Sequence, residues 1–90
     1  SYFSRAIEQN PKDSEAFYSR AVTKSALNNK EGALDDYSKA IALKPDYESA
    51  FGNRGTEKDD LGDHQGAIED YDAVIKFNPK NIGKNTNIAI

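Results

Sequence analysis

The stretch Gly32–Pro45, GALDDYSKAIALKP, is nearly repeated by Gly66–Pro79, GAIEDYDAVIKFNP. Gly, Ala, Asp, Tyr, Ile and Pro recur at the same offsets, and the two copies are 34 residues apart. The three prolines of the chain keep the same interval, at positions 11, 45 and 79. A fixed period of about 20–50 residues is typical of stacked repeats, in which each unit is one supersecondary element that cannot bury its apolar face alone. The period therefore predicts a repeat protein.

Each period is predicted to contain two helices. Within each copy the apolar residues recur every three or four positions, which is the spacing of an amphipathic helix. A proline ends that helix because it cannot donate the next backbone hydrogen bond. After the proline, the runs KDSEAF and DYESAF place Asp or Ser where a second helix is expected to begin. This second helix is predicted to end at Asn28 or Gly62, since Asn and Gly most readily adopt the left-handed conformation.

These residues resemble the tetratricopeptide repeat, whose 34-residue pattern combines W-x2-L-G-x2-Y, A-x3-F and a proline. The matching positions are, in the first copy, Phe17, Arg20, Ala21, Lys24, Ala33, Tyr37 and Pro45, and in the second, Phe51, Arg54, Gly55, Lys58, Ala67, Tyr71 and Pro79. The resemblance implies an all-α fold, a right-handed α-solenoid of antiparallel helix pairs. It also implies full repeats at residues 14–47 and 48–81, each with a helix A that begins after one proline and, after a tight turn, a helix B that ends at the next. Partial repeats are implied at 1–13 (helix B) and at 82–90 (helix A).

The small and aromatic residues of the pattern are expected to form the core. Ala21, Gly55, Ala33 and Ala67 lie where helix A and helix B should cross, and small side chains there permit close approach. The aromatic residues predicted to fill the adjacent volume are Phe3, Phe17, Tyr37, Phe51 and Tyr71.

Two polar positions depart from the family pattern, because Arg replaces the usual Leu and Lys replaces the usual Tyr of helix A in both copies. Arg20 and Arg54 recur at the interval that also separates Asp36 from Asp70. Each guanidinium is therefore predicted to pair with a helix B carboxylate near the helix crossing. The alternative is an arginine whose stem packs on the core while its head reaches water.

The composition argues against several classes of function. The chain has no cysteine, so it has no disulfide framework, and this fits a reducing compartment such as the cytoplasm. Its 15 acidic and 12 basic residues are well mixed and give a net charge of −3, which argues against nucleic acid as a partner. No apolar run approaches the roughly 18 residues of a membrane span. The chain does not begin with Met, so a targeting segment could precede it.

No enzyme, cofactor or metal site is predicted. His64 has no second His or Cys with which to bind a metal and no serine spaced for a catalytic triad, so we expect it on the surface. Glu57, Asp59 and Asp60 lack the sequence pattern of a calcium-binding loop and are predicted to be solvated charges on a helix.

In tetratricopeptide proteins the A helices line a concave groove that binds peptide segments or helices of partner proteins. Carried over to this chain, the resemblance places in the groove Glu15, Tyr18, Val22, Ser25, Ala26, Ser49, Gly52, Asn53, Thr56, Asp59 and Asp60. Because three of these are acidic and none is a lysine, the partner is predicted to be a basic or amphipathic protein segment. Tyr18 and Tyr47 lack an aromatic counterpart in the other copy and are either partner contacts or packed rings.

Other family functions fit less well. Members that bind the acidic tails of heat-shock chaperones clamp carboxylates with Lys, Asn and Arg. The corresponding positions here hold Tyr18, Val22, Asn53, Gly83 and Asn87, of which only Asn53 fits. The acidic composition and the period disfavour an RNA-binding helical-repeat function. The main alternative to peptide binding is a structural spacer within a longer array.

The two ends of the sequence carry apolar residues without the helix that would cover them in a full repeat. Terminal repeats normally present a polar outer face, so the chain is expected to be a piece of a longer array. Isolated copies are also expected to stack weakly head to tail, with Ile82–Ile90 of one molecule against Ser1–Asn10 of the next.

Overall fold

The computed structural model describes residues 12–77, which fold into four helices and, over that range, contain no strand. We number the helices α1 (Ser14–Ala26), α2 (Lys30–Leu43), α3 (Glu48–Asp60) and α4 (His64–Phe77). Each helix packs mainly on the next one along the chain, and contacts between α2 and α3 join the pair α1–α2 to the pair α3–α4. The predicted all-α solenoid of helix pairs is confirmed. The predicted head-to-tail joint lies outside the described residues.

Helices α1 and α3 end in the same backbone motif. Asn28 has a φ of 66° and Gly62 a φ of 91°, so both predicted left-handed residues are confirmed. The residue that follows each of them donates its amide back across the last helical turn, as Asp63 does to the carbonyl of Lys58 at 2.7 Å. These bonds satisfy carbonyl groups that a helix end leaves unpaired. The turn into the next helix is therefore tight.

The same turns supply the caps of α2 and α4. The side chain of Asn29 accepts a hydrogen bond from the amide of Gly32 at 3.1 Å, and that of Asp63 accepts one from the amide of Gly66 at 3.0 Å. A Cβ on Gly32 would lie 2.6 Å from Nδ2 of Asn29, and a Cβ on Gly66 would collide with Asp63. Glycine recurs at both positions because the capping side chain occupies the space that a larger residue would need.

Helices α1 and α3 begin differently. At α1 the Asp13 side chain accepts a hydrogen bond from the amide of Ala16 at 3.2 Å, as predicted. At α3 the capping position holds Tyr47, which makes no side-chain cap, so the expected Asp or Ser cap there is wrong. The Tyr47 ring instead stacks on Tyr18 with 5.1 Å between centroids, and the Lys44 ammonium lies 4.8 Å from its centroid. A stacking contact between the start of α3 and a tyrosine of α1 is therefore present where the local cap was expected.

The helix crossings are built from small residues, as predicted. Ala21 and Ala33 are completely buried, and Gly55 and Ala67 are buried as well. A Cβ on Gly55 would lie 3.0 Å from a ring carbon of Tyr71, so the second pair of helices approaches more closely than an alanine would permit without movement of that ring.

The aromatic core is only partly as predicted. Phe17 and Tyr37 are buried, whereas Phe51 is half-buried and Tyr71 is 38% exposed, so the core position predicted for Tyr71 is wrong. Tyr37 lies on α2, which packs against both α1 and α3. Tyr71 lies on α4, which packs mainly on α3 among the described helices. Phe3 lies outside the described residues.

Candidate interaction site

A buried ion-pair cluster lies at the crossing of α1 and α2. Arg20 donates from Nε to one carboxylate oxygen of Asp36 at 2.7 Å and from Nη2 to the other at 2.8 Å. The Lys24 ammonium lies 3.0 Å from the same carboxylate. Burial raises the pKa of Asp36, but the hydrogen bonds from Arg20 and Lys24 outweigh burial, so that its pKa is lowered. The predicted pairing of Arg20 with Asp36 is confirmed.

An equivalent cluster lies at the crossing of α3 and α4. Arg54 donates from Nε and Nη2 to the two carboxylate oxygens of Asp70, at 2.9 and 2.8 Å, and Lys58 lies 3.3 Å from the same group. Arg54 also donates to the hydroxyl of Ser38 on α2 at 3.2 Å. Because the two clusters recur with the repeat, we assign them to the structure of the helix crossing rather than to a binding site.

A hollow of about 250 Å³ opens where α1 and α3 meet over α2, and its lining belongs to three helices. The lining residues are Val22 and Ser25 from α1, Tyr37 from α2, and Asn53, Thr56 and Glu57 from α3. The structure thus brings together four residues that the sequence places in the groove, namely Val22, Ser25, Asn53 and Thr56.

Two lining residues, Tyr37 and Glu57, are not among the groove positions inferred from the sequence; Tyr37 was predicted to lie in the core and is buried, whereas Glu57 differs from its prediction. It was expected to be a solvated charge, and this is wrong, since only 5% of the residue is exposed. One carboxylate oxygen, Oε1, accepts a hydrogen bond from Ser25 across the α1–α3 contact. The other, Oε2, is buried and has no hydrogen-bond partner, although the Lys30 ammonium lies 3.8 Å away. The sequence signal was the contrast with Thr23, an exposed residue at the same position of the first repeat.

Three tyrosine rings lie beside the hollow. Tyr18 is half-buried, with its ring centroid 5.8 Å from that of Tyr37 and 5.1 Å from that of Tyr47. Its hydroxyl accepts a hydrogen bond from Nδ2 of Asn53 at 2.8 Å. Burial, and then the negative charge of Glu57, raise the pKa of Tyr37 to about 12. The Tyr37 hydroxyl is therefore neutral at physiological pH and can both donate and accept hydrogen bonds.

The acidic residues at the C-terminal end of α3 have neighbours of opposite charge. Asp60 lies 3.2 Å from the Lys30 ammonium, and the Asp59 carboxylate contacts the imidazole of His64. None of the groove positions inferred from the sequence is a lysine, but the ammonium of Lys30, at the start of α2, lies beside Glu57 and Asp60. His64 is exposed, as predicted.

The remaining groove positions lie away from the hollow. Glu15, Ala26 and Ser49 are exposed and do not line it. Gly52 faces α4, since a Cβ on it would lie 3.8 Å from a methyl carbon of Val74.

No group of three or more His, Cys, Asp or Glu side chains within residues 12–77 is arranged to hold a metal ion. None of the helices in this range is long and apolar enough to cross a membrane.

Family models described as tetratricopeptide repeat match residues 2–35 and 48–81. A crystal structure of MamA superposes with a TM-score of 0.84 at 21% identity, over 90% of this chain and 47% of that one. The MamA RS-1 ArsTM double mutant superposes with a TM-score of 0.83 at 19% identity, over 88% of this chain and 44% of that one. MamA MSR-1 superposes with a TM-score of 0.80 at 16% identity, over 88% of this chain and 45% of that one. At these identities the likeness shows the fold alone, and this chain spans less than half of each MamA chain. A search of curated proteins gave no match.

Proposed function

Because this chain belongs to the tetratricopeptide repeat family, we propose that α1 and α3 form a groove that binds a basic or amphipathic segment of a partner protein. Repeats of this family generally mediate protein–protein interaction. The observation that carries the proposal is the hollow between α1 and α3, where polar groups from three helices converge on one open space. Sites for ligands are typically concave and combine apolar walls with a few placed polar groups.

The charge of this surface favours a basic partner. Glu57, Asp59 and Asp60 lie along the C-terminal half of α3, and the Lys30 ammonium is shared between Glu57 and Asp60. A surplus of negative charge therefore remains along α3. Complementary charge raises the association rate and selects among partners, and added salt weakens both effects.

The apolar part of the same surface favours an amphipathic segment. Val22 is 40% exposed at the edge of the hollow, and the stacked rings of Tyr18 and Tyr47 are half-buried beside it. Aromatic rings supply a large contact area and are common in the centres of protein interfaces. An amphipathic helix with basic residues would match both the apolar and the acidic parts of the groove.

The arrangement around Asn53 disfavours an acidic tail as the ligand. An Asn amide in a carboxylate clamp donates its N–H groups to the ligand, whereas one of the two N–H groups on Nδ2 of Asn53 already donates to the Tyr18 hydroxyl, which leaves one for a ligand. Val22 and Tyr18 supply no cation at the two neighbouring positions.

The test is a titration of the ¹⁵N-labelled protein with pools of basic, neutral and acidic amphipathic peptides. We expect the basic pool to bind and to shift the amide signals of α1 and α3, with weaker binding as salt is added. Asp59→Lys should weaken this binding, whereas Asp72→Lys, an exposed change of the same charge on α4, should not. Tight binding of the acidic pool, unaffected by Asp59→Lys, would contradict the proposal. Binding of no pool would favour the structural spacer.

A further inference from the structure

We propose that Glu57 is the anchor for an arginine side chain of the bound segment. This inference rests on the groove function proposed above and names the chemical group that the groove recognises. It starts from the fact that a carboxylate oxygen is buried beside an open hollow and has no hydrogen-bond partner.

A buried polar atom without a hydrogen bond is unusual in a folded protein. More than about 90% of buried polar groups have a partner, and leaving one unpaired is costly, particularly for a charged group. Among residues 12–77, Oε2 of Glu57 is the side-chain atom that fails this test. Its other oxygen is held by Ser25, so the carboxylate is fixed in place while one acceptor stays unused.

A ligand cation can replace Lys30 beside Glu57 without leaving Lys30 unpaired. Its ammonium lies 3.8 Å from Oε2 of Glu57, which is beyond hydrogen-bonding distance, but 3.2 Å from Asp60. A ligand cation that approached Glu57 would leave Lys30 still paired with Asp60. One ammonium shared by two carboxylates leaves one negative charge without a counterion, and binding would supply it.

The lining of the hollow fits a guanidinium better than an ammonium. Besides Glu57, the side-chain oxygens of Asn53 and Thr56 and the Tyr37 hydroxyl can each accept a hydrogen bond. A guanidinium carries five N–H donors in a planar fork and can donate hydrogen bonds to several acceptors at once, whereas an ammonium is a compact and strongly hydrated charge. Val22 and the Tyr37 ring can contact the methylene stem.

The experiment uses N-acetyl-arginine methylamide as the probe and follows the amide signals of the ¹⁵N-labelled protein. The neutral citrulline analogue, which has nearly the same shape, is the matched ligand control. We expect the arginine compound to shift the signals of Ser25, Asn53, Thr56 and Glu57 with an affinity at least about tenfold higher than the citrulline compound, as expected for a charge-assisted hydrogen bond.

Two variants test the role of the carboxylate itself. Glu57→Gln keeps the size of the side chain and should weaken binding of the arginine probe by about tenfold. Glu69→Gln, which removes an exposed carboxylate on α4, should leave binding unchanged. Lys30→Met removes the competing ammonium and should tighten binding several-fold, whereas Lys76→Met, at an exposed position, should not. Circular dichroism checks that each variant is folded.

The outcomes separate this inference from the proposed function. If basic peptides bind to α1 and α3 of Glu57→Gln as tightly as to the parent protein, the anchor is wrong and the groove function stands. Equal binding of the arginine and citrulline compounds, or weaker binding after Lys30→Met, would also overturn the anchor. If no basic peptide binds, both proposals fail.

Discussion

Two kinds of buried carboxylate occur in this small helical array. Asp36 and Asp70 are 1% and 2% exposed and lie at the helix crossings, where each accepts two hydrogen bonds from an arginine and has a lysine nearby. Glu57 is 5% exposed and lies between repeats, where it accepts one hydrogen bond, from Ser25, and has an ammonium only at 3.8 Å. The three carboxylates are similarly buried, but Asp36 and Asp70 have a hydrogen bond to each oxygen, whereas Glu57 has one to Oε1 alone.

This difference distinguishes the two carboxylates that stabilise the helix crossings from the one that we propose to bind a ligand. Moving a carboxylate out of water costs several kcal/mol, and the cost is offset only when close cations and hydrogen bonds surround it. The repeated pairs Arg20–Asp36 and Arg54–Asp70 meet that condition within each helix pair. Glu57 meets it only in part, so a ligand that supplies the missing cation would stabilise the folded state by binding to it.

The largest expected effect is the loss of the first crossing cluster. Asp36→Ala removes the buried carboxylate that accepts two hydrogen bonds from Arg20 and lies 3.0 Å from the Lys24 ammonium. Breaking a buried ion pair in this way typically lowers the free energy of unfolding by about 3–5 kcal/mol. Asp35→Ala, an exposed change next to it, should stay within about 0.5 kcal/mol. Urea denaturation measures both, and equal losses would contradict the structural role of Asp36.

The second prediction concerns stability at alkaline pH and the contact between Tyr37 and Glu57. Folding raises the pKa of Tyr37 from an ordinary value of 10.0 to about 12. Because the raised pKa favours the neutral phenol, the stability it contributes is fully present below pH 10 and is lost as pH rises through about 12. Two pKa units correspond to about 3 kcal/mol. Tyr37→Phe should flatten the pH dependence of stability between these values, whereas Tyr71→Phe, at an exposed position, should change it less.

The same titration links Tyr37 to the candidate anchor. Burial is the main cause of the raised pKa of Tyr37, and the charge of Glu57 is the next. Glu57→Gln should therefore lower the pKa of Tyr37, as measured by the ultraviolet absorbance of tyrosinate. An unchanged titration would show that the Glu57 charge does not act on Tyr37.

The third prediction compares the two partners of the second crossing cluster. Asp70→Ala should destabilise strongly, because Arg54 and Lys58 then lose their carboxylate. Arg54→Leu restores the residue usual at this position of the family and leaves Asp70 with Lys58 at 3.3 Å, but it removes both hydrogen bonds from Arg54, so we expect a smaller loss of about 2 kcal/mol. Thermal unfolding of the two variants side by side provides the measurement. A larger loss for Arg54→Leu than for Asp70→Ala would show that the arginine, not the carboxylate, holds the crossing together.

The sequence predicted features that recur with the repeat or follow from local backbone chemistry. The pairing of Arg20 with Asp36 could be predicted because both residues return after 34 positions, and the turns at Asn28 and Gly62 follow from the conformations those residues favour. The burial of Glu57 could not be predicted from the sequence of α3 alone. It depends on the approach of α3 to Ser25 on α1, and neither residue recurs in the other copy.

The smallest expected effect tests whether the Glu57 carboxylate stabilises the fold, as Asp36 and Asp70 do. Glu57→Gln keeps Oε1 as the acceptor for Ser25 and replaces the unsatisfied Oε2 with a neutral amide group, so the desolvation cost of the charge disappears. Against this gain, the variant loses an attraction to Lys30 across 3.8 Å and the negative charge on the acceptor of the single Ser25 hydrogen bond. We therefore expect the free energy of unfolding to be unchanged or to rise by up to about 1 kcal/mol.

The control is Asp70→Asn, the matched change at a carboxylate with hydrogen bonds to both oxygens. It should lower the free energy of unfolding, because Arg54 and Lys58 lose a charged acceptor. Urea denaturation at neutral pH compares the two. A loss above about 2 kcal/mol for Glu57→Gln would place Glu57 with Asp36 and Asp70 as a structural charge. A neutral change would show that this carboxylate does not stabilise the fold, and a stabilising change would show that it is kept at a cost in stability, as is common for residues that serve binding.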